Sequence, residues 1–276
     1  MESLNNIILQ FEAHLKEEEK SLATTTKYSR DIRTFAEFLG QEKLTKEQTI
    51  AYKEYLRGRY SLTSANSMLA ALNSFLRFIG QQRCCVKLFR VQRRIFTTDE
   101  TELSRQEYLR LVQSAGSNRL SLVIQTICGT GIRVSELQYI TVKAVHAGKA
   151  VVNCKNKERV IFIPIPLQKL LKNYIKKAGI QTGSVFISKN GKPLDRSNIW
   201  RDMKALCVKA GVAPCKVFPH NLRHLFARTF YAIEKDIVKL ADLLGHSNID
   251  TTRIYTMETG DQHFSRLEKM HLILTT

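Results

Sequence analysis

Pro219-His-Asn-Leu-Arg223-His224 and, further along, Leu243-Leu-Gly-His246-Ser-Asn-Ile-Asp-Thr-Thr-Arg-Ile-Tyr255 form the most informative stretch of this chain. His220 and Arg223 are three apart, so on a helix they share one face. An imidazole and a guanidinium converging there suit a phosphoryl oxyanion with a proton transfer close by. Metal ligation by histidine competes with that reading, but no acidic or cysteine partner lies at ligand spacing. In the second part a glycine–histidine turn precedes a short helix with Tyr255 nine residues after His246. Tyrosine is normally packing, yet a phenol also attacks phosphorus directly and keeps the ester energy in a phosphotyrosyl bond.

Two upstream patterns add to this. In Gly129-Thr-Gly-Ile-Arg133-Val-Ser-Glu136 the glycines allow a tight turn, and Arg133 opens a helix with Glu136 one turn later. A guanidinium there can face a phosphate while the carboxylate holds it in place. Alone, the pattern reads first as a surface Arg–Glu pair after a turn. Cys154-Lys155-Asn-Lys157-Glu-Arg159 reads as the polar tip of a hairpin between Ala150-Val-Val152 and Val160-Ile-Phe-Ile163. A lysine on such a tip reaches a neighbouring groove, though lysines there are usually just solvated.

The whole chain is strongly basic. Its 276 residues carry 43 Lys+Arg against 25 Asp+Glu, a net charge of +18. Residues 1–99 hold 16 basic and 11 acidic side chains and residues 100–276 hold 27 and 14, so both parts can face one polyanion. Nucleic acid comes first as that partner and an anionic membrane surface second. With 43% hydrophobic residues the chain is an ordinary globular protein, not a disordered basic tail. It lacks a signal-peptide pattern at its start, a run of about 20 apolar residues and a phosphate-binding P-loop. The six scattered cysteines read as reduced, cytosolic and structural.

The periodicity predicts a mainly α protein with a small antiparallel sheet. Residues 1–82 read as a bundle of four helices, with Thr45-Lys-Glu-Gln48 a capping box and Gly40 and Gly80 as stops. Residues 83–99, with Arg83, Lys87, Arg90, Arg93 and Arg94, read as a basic linker, either solvated or tracking phosphates. Residues 100–276 open on a second capping box, Ser104-Arg-Gln-Glu107. They continue through helices near 120–128, 167–178, 196–210, 221–232 and 236–244, with a short strand at Val185-Phe-Ile187.

Each motif is ordinary by itself; their order, Arg, Lys, His-x-x-Arg, His, Tyr, is not. In that order the chain resembles the tyrosine recombinase (phage integrase) family over essentially its whole length. The resemblance implies a helical core-binding domain and a catalytic domain closing as a C-shaped clamp on duplex DNA. It further implies that Arg133 and Arg223 clamp the scissile phosphate and that His220 donates a hydrogen bond or acts as base. By the same resemblance His246 supports a phosphate oxygen, Lys155 protonates the departing 5′ oxygen, Tyr255 is the nucleophile and Glu136 supports Arg133. The hairpin departs from the family's usual Gly-Lys-Gly-Asn-Lys-Glu-Arg by lacking a glycine, which leaves Lys157 as an alternative to Lys155. Arg90, Arg93, Arg94, Lys157 and Arg159 are further candidates for DNA contact. Neither metal nor ATP is expected. Also implied are a homotetramer on two DNA recombination sites, built by exchange of the tail after Phe264, an accessory directionality factor, and a cytoplasmic, nucleoid-associated place in a bacterium. The block Phe226-Ala-Arg-Thr-Phe-Tyr231 followed by Lys235–His246 resembles recombinases of bacterial mobile elements, so integration or excision of such an element is the leading reading. Xer-like chromosome or plasmid dimer resolution, a topoisomerase-like relaxing enzyme and a non-catalytic DNA-binding regulator are its alternatives.

Overall fold

The computed structural model describes residues 4–91, 101–154, 157–188, 190–255, 264–265 and 268–270. The chain divides into two compact units, Met1–Arg93 and Arg94–Thr276.

The first unit is built from helices α1 (Leu4–Glu17), α2 (Leu22–Leu39), α3 (Lys46–Arg59) and α4 (Leu62–Phe78). Ser21, Thr45 and Ser61 each take a backbone N–H of the first turn onto their side-chain oxygen, which starts the last three helices where they start. Ile8, Phe11, Leu15, Ile32, Phe35, Tyr52, Leu56, Leu69, Leu72 and Leu76 meet in one apolar core. Burying each of these large side chains contributes roughly 1.5–3 kcal/mol.

The expected linker does not begin as free chain. Beyond a 3₁₀ turn at Gln82–Cys84, residues 85–89 run along α4 in an extended path. Asn73 gives its amide to the Val86 carbonyl at 2.8 Å and accepts the Val86 N–H at 2.9 Å. Asn66 does the same with Phe89, at 2.9 and 2.8 Å. A carboxamide offers a donor and an acceptor as a peptide does, so two asparagines seven residues apart on one face replace a strand partner. Arg90 is exposed at the end of this strap; Arg93 and Arg94 lie outside the described residues.

In the second unit follow α5 (Arg105–Ala115), α6 (Arg119–Thr130), α7 (Val142–Ala147), strands β1 (Lys149–Cys154) and β2 (Lys157–Phe162), α8 (Ile165–Ala178), α9 (Arg196–Ala210), α10 (Pro219–Glu234), α11 (Ile237–Leu244) and α12 (Asp250–Arg253). The Ser104–Glu107 capping box is present with both of its bonds. β1 and β2 pair antiparallel from Lys149↔Phe162 to Cys154↔Lys157, so the hairpin is longer than the apolar runs suggested and Arg159 sits inside it, opposite Val152. The expected strand at 185–187 is absent. Its ends make only isolated bridges, Thr141↔Ser184 and Ile187↔Pro193, because Val185 N–H turns to Ile140 while the Phe186 carbonyl serves Leu194. Pro219 occupies the first turn of α10, where its missing N–H costs nothing, and α10 packs along α6. Among the described residues no helix is long and apolar enough to cross a membrane, and none of the five cysteines whose side chains are described forms a disulfide.

Candidate active site

Helix α6 ends at Gly131, whose φ of 65° is open to glycine without strain. A Cβ there would stand 2.5 Å from the Phe226 ring of α10, so the bare glycine also lets the two helices close up. The Gly131 carbonyl accepts Arg223 Nη1 at 2.6 Å. Two residues on, Arg133 caps the helix expected there, which is a 3₁₀ helix over Val134–Tyr139. Glu136, 2% exposed, takes the Arg133 backbone N–H and guanidinium, both at 2.9 Å.

Arg159, expected from the sequence as a DNA contact, is engaged within the protein. Its side chain is largely buried and donates to Glu136 and, at 2.8 Å, to the Leu243 carbonyl. Burial alone pushes the Glu136 carboxyl up. The Arg133 N–H and the Arg159 and Arg133 guanidiniums outweigh that and hold it below the usual carboxylate range.

Three successive carbonyls at the end of α11 each serve a different arginine. Leu243 accepts Arg159, Leu244 accepts Arg223 at 2.7 Å, and Gly245 accepts Arg133 at 3.4 Å. Unpaired carbonyls at a helix C-terminus carry partial negative charge, so this end gathers cations that would otherwise repel one another. The sequence placed Arg133 and Arg223 near a phosphate; it gave no sign that a helix end assembles them.

Arg223 is 2% exposed. Burial, with Arg133 beside it, lowers its guanidinium to about 10, while Tyr255 nearby works the other way. His246 completes its surroundings, with Nε2 3.0 Å from Arg223 Nη2 and Nδ1 2.9 Å from Thr252 Oγ1. Tyr255 is itself buried. Its ring meets His224 edge-on at 4.7 Å and lies nearly parallel to His246 at 6.1 Å, and His224 in turn meets His220 at 4.4 Å. Burial pushes all three histidines below their ordinary range. Arg223 and Arg133 reinforce this at His220, His220 and Arg223 at His224, and Arg223 and Arg133 at His246; His224 and His246 come down to about 4. All three are therefore neutral near pH 7.

His224 and Thr252 belong to the site although sequence reasoning did not assign them to it. His224 buries Nε2 with no hydrogen-bond partner among the described residues. The signal was present: both residues lie inside the two motifs that decided the reading. Tyr139 donates to the Asn153 carbonyl at 3.0 Å, anchoring the hairpin two residues before Lys155. Lys155 lies outside the described residues; Lys157 opens β2. Among the described residues no group of three or more His, Cys, Asp or Glu is placed to hold a metal ion.

A guanidinium and neutral imidazoles around a phenol, with a second guanidinium on the same helix end, are suited to phosphoryl transfer through tyrosine. The phage integrase family matches residues 101–261, and the phage integrase N-terminal SAM-like domain matches residues 8–83. Tyrosine recombinase XerA of Thermococcus kodakarensis is 30% identical over 285 residues, covering 99% of this chain and 98% of its own. The crystal structure of XerA recombinase matches at TM-score 0.53 and 26% identity, over 98% of this chain and 99% of its own. A lambda integrase dimer bound to a COC′ core site shares the fold at TM-score 0.73 and 20% identity, over 93% and 96%. This chain belongs to the phage integrase family. It is a tyrosine recombinase, a site-specific DNA breaking-and-rejoining enzyme.

Proposed function

We propose that this chain exchanges strands between two duplex recombination sites through a 3′-phosphotyrosyl intermediate with Tyr255 as nucleophile. The observation that carries this reading is the placement of Tyr255 against Arg223, His224 and His246 of its own chain. Arg133 and Arg223 hold the oxygens of the scissile phosphate and His246 supports one of them. A bond forms from the phenol oxygen to phosphorus while the bond from phosphorus to the 5′ oxygen breaks. The phenol proton passes to His220, whose depressed basicity keeps it unprotonated and ready near pH 7. Lys155 gives a proton to the leaving 5′ oxygen, with Lys157 the alternative donor. A 5′ hydroxyl from another strand reverses the step. One ester replaces another, so the scheme uses neither ATP nor metal and draws its charge stabilisation from the arginines and histidines.

The two basic units would clamp the duplex, with Arg90, Arg93 and Arg94 along its backbone. Affinity that falls steeply with added salt agrees with the clamp; salt-independent affinity opposes it. The tail after Phe264 would dock on a neighbouring subunit to build a tetramer on two sites. Deleting residues 266–276 should then spare site binding and weaken cleavage. For the biological role, the end-to-end match to XerA favours Xer-like dimer resolution. The mobile-element reading, with its directionality factor, rests on the block Phe226–Tyr231 and on Lys235–His246 alone.

The test is a nicked suicide duplex drawn from DNA flanking the gene. A covalent protein–DNA adduct that disappears in Tyr255→Phe supports the enzyme. Tight binding with no adduct establishes the non-catalytic regulator instead, and relaxation of supercoils without pairing of sites establishes the topoisomerase-like reading.

A further inference from the structure

A neutral imidazole carries one N–H, and its neighbours decide which nitrogen holds it. His246 is neutral near pH 7, pressed down by burial and by Arg223, Arg133, Arg159 and His220. Its Nε2 lies 3.0 Å from Arg223 Nη2, and a guanidinium only donates. Nε2 therefore accepts, and the proton sits on Nδ1. That nitrogen is 2.9 Å from Thr252 Oγ1, in a side chain with no solvent exposure, so Nδ1–H donates to the hydroxyl.

We propose that Thr252 is a positioning residue that sets the tautomer of His246 and allows it to reverse when a phosphate arrives. The inference rests on the reading above, in which His246 supports a phosphate oxygen. An anionic phosphate oxygen accepts and does not donate, so Nε2 must become the N–H. Nδ1 then becomes an acceptor inside the protein, where an unmet polar atom is costly. A hydroxyl both donates and accepts, so rotating the Thr252 O–H satisfies Nδ1 in either form. The protons balance: Nδ1 releases one to solvent, Nε2 takes one from solvent, and the hydroxyl keeps its own. Lysine could only donate and an ionised carboxylate could only accept, so neither would serve both states. Thr252 also lies three residues before Tyr255, and the same hydrogen bond ties the nucleophile's segment to His246.

The test reads the imidazole nitrogens of His246 directly, by long-range proton–nitrogen NMR on histidine-labelled full-length protein, with His246→Asn to assign the signals. Without ligand, Nδ1 should be the protonated nitrogen in the wild type and in Thr252→Ser. Inorganic phosphate should invert the pair in both. Thr252→Val, of the same shape, should lose the clean Nδ1–H pattern and fail to invert. On the nicked duplex it should form adduct about 100-fold more slowly, the size of one lost transition-state donor, with Thr252→Ser close to wild type. Protonated Nε2 in the free protein overturns the proposal, as does a Thr252→Val variant that inverts like wild type. Should Tyr255 form no adduct while these signals behave as stated, the recombinase mechanism fails and the tautomer assignment stands. An adduct with the opposite tautomer sinks this inference alone.

Discussion

Arg159 donates to the carboxylate of Glu136, so the hairpin that leads to Lys155 is fastened to the turn that presents Arg133. One buried carboxylate thus sets the spacing between two elements far apart in sequence. Removing one partner of such a buried pair leaves the other charge uncompensated, at roughly 3–5 kcal/mol. Glu136→Ala should therefore lose stability on that scale, since two guanidiniums remain against each other. The double variant Glu136→Ala, Arg159→Ala should recover part of the loss. The single tryptophan, Trp200, lies in α9 of the same unit, and its fluorescence during urea unfolding reports the change. Strictly additive losses would show that the pair is not coupled.

A second prediction follows from the three depressed histidines. Their folded pKa values lie below the unfolded value near 6.5, so below that pH the unfolded chain takes up protons first. Stability should be flat above pH 6.5 and should fall as the pH drops from about 6.5 towards 4. Glu136 and Glu107, held below the usual 4.5, add their own loss only in the lower part of that range. His224 is the member to remove. His224→Phe keeps an aromatic ring against Tyr255 and should make the pH profile less steep between 6.5 and 4.5, with His220 and His246 carrying the remaining slope. An unchanged slope in that window would place the acid sensitivity elsewhere.

Gly245 and Gly179 both end helices with a left-handed φ, 64° and 65°, yet they differ in what surrounds them. Around Gly179 a Cβ would meet nothing within 4 Å; at Gly245 it would stand 2.5 Å from Arg159 Cδ. Gly179→Ala should therefore carry the backbone strain alone, about 1 kcal/mol. Gly245→Ala should carry the same strain plus the displacement of Arg159 from Leu243 and Glu136. The contrast is measurable as a larger drop in urea midpoint and, on the nicked duplex, as slower adduct formation in Gly245→Ala only. Equal effects of the two substitutions would mean that Arg159 moves aside freely.

The site was legible where the chemistry is written in side chains at short spacing. His220 with Arg223, Leu-Gly-His246 with Tyr255, and Arg133 with Glu136 each fall within one local element, and local elements follow from periodicity and turn residues. The assembly was not legible, because it depends on backbone atoms that every residue possesses. Nothing in the letters Leu243-Leu-Gly245 says that their carbonyls receive Arg159, Arg223 and Arg133. The partner of Arg159 was hidden for the same reason: on a hairpin a basic residue is usually solvated, and only the fold brings Glu136 to it. The segment 185–187 misled in the opposite direction. Its β-branched and aromatic residues mark burial, and Val185 and Phe186 are indeed buried, but among the described residues no neighbouring strand runs beside them.

The strap on α4 makes the last prediction, and it concerns the first unit. Asn73 is nearly buried and satisfies both polar groups of Val86, so Asn73→Ala leaves a donor and an acceptor stranded. Each stranded group costs about 1–3 kcal/mol. Asn73→Asp keeps the acceptor for the Val86 N–H but sets a carboxylate against the Val86 carbonyl, so it should restore only part of the loss. Asn66 stands at the more exposed end of the strap, where water can replace it, and Asn66→Ala should cost less. Trp200 lies in the second unit and is blind to this change, so hydrogen exchange in the intact chain is the appropriate measurement. Faster exchange at the Val86 amide and along the outer face of α4, with the Trp200 unfolding curve unmoved, is the expected result. Slow exchange at Val86 in Asn73→Ala would mean that Thr49, through Cys84, and Lys46, through Cys85, hold the strap without the asparagine.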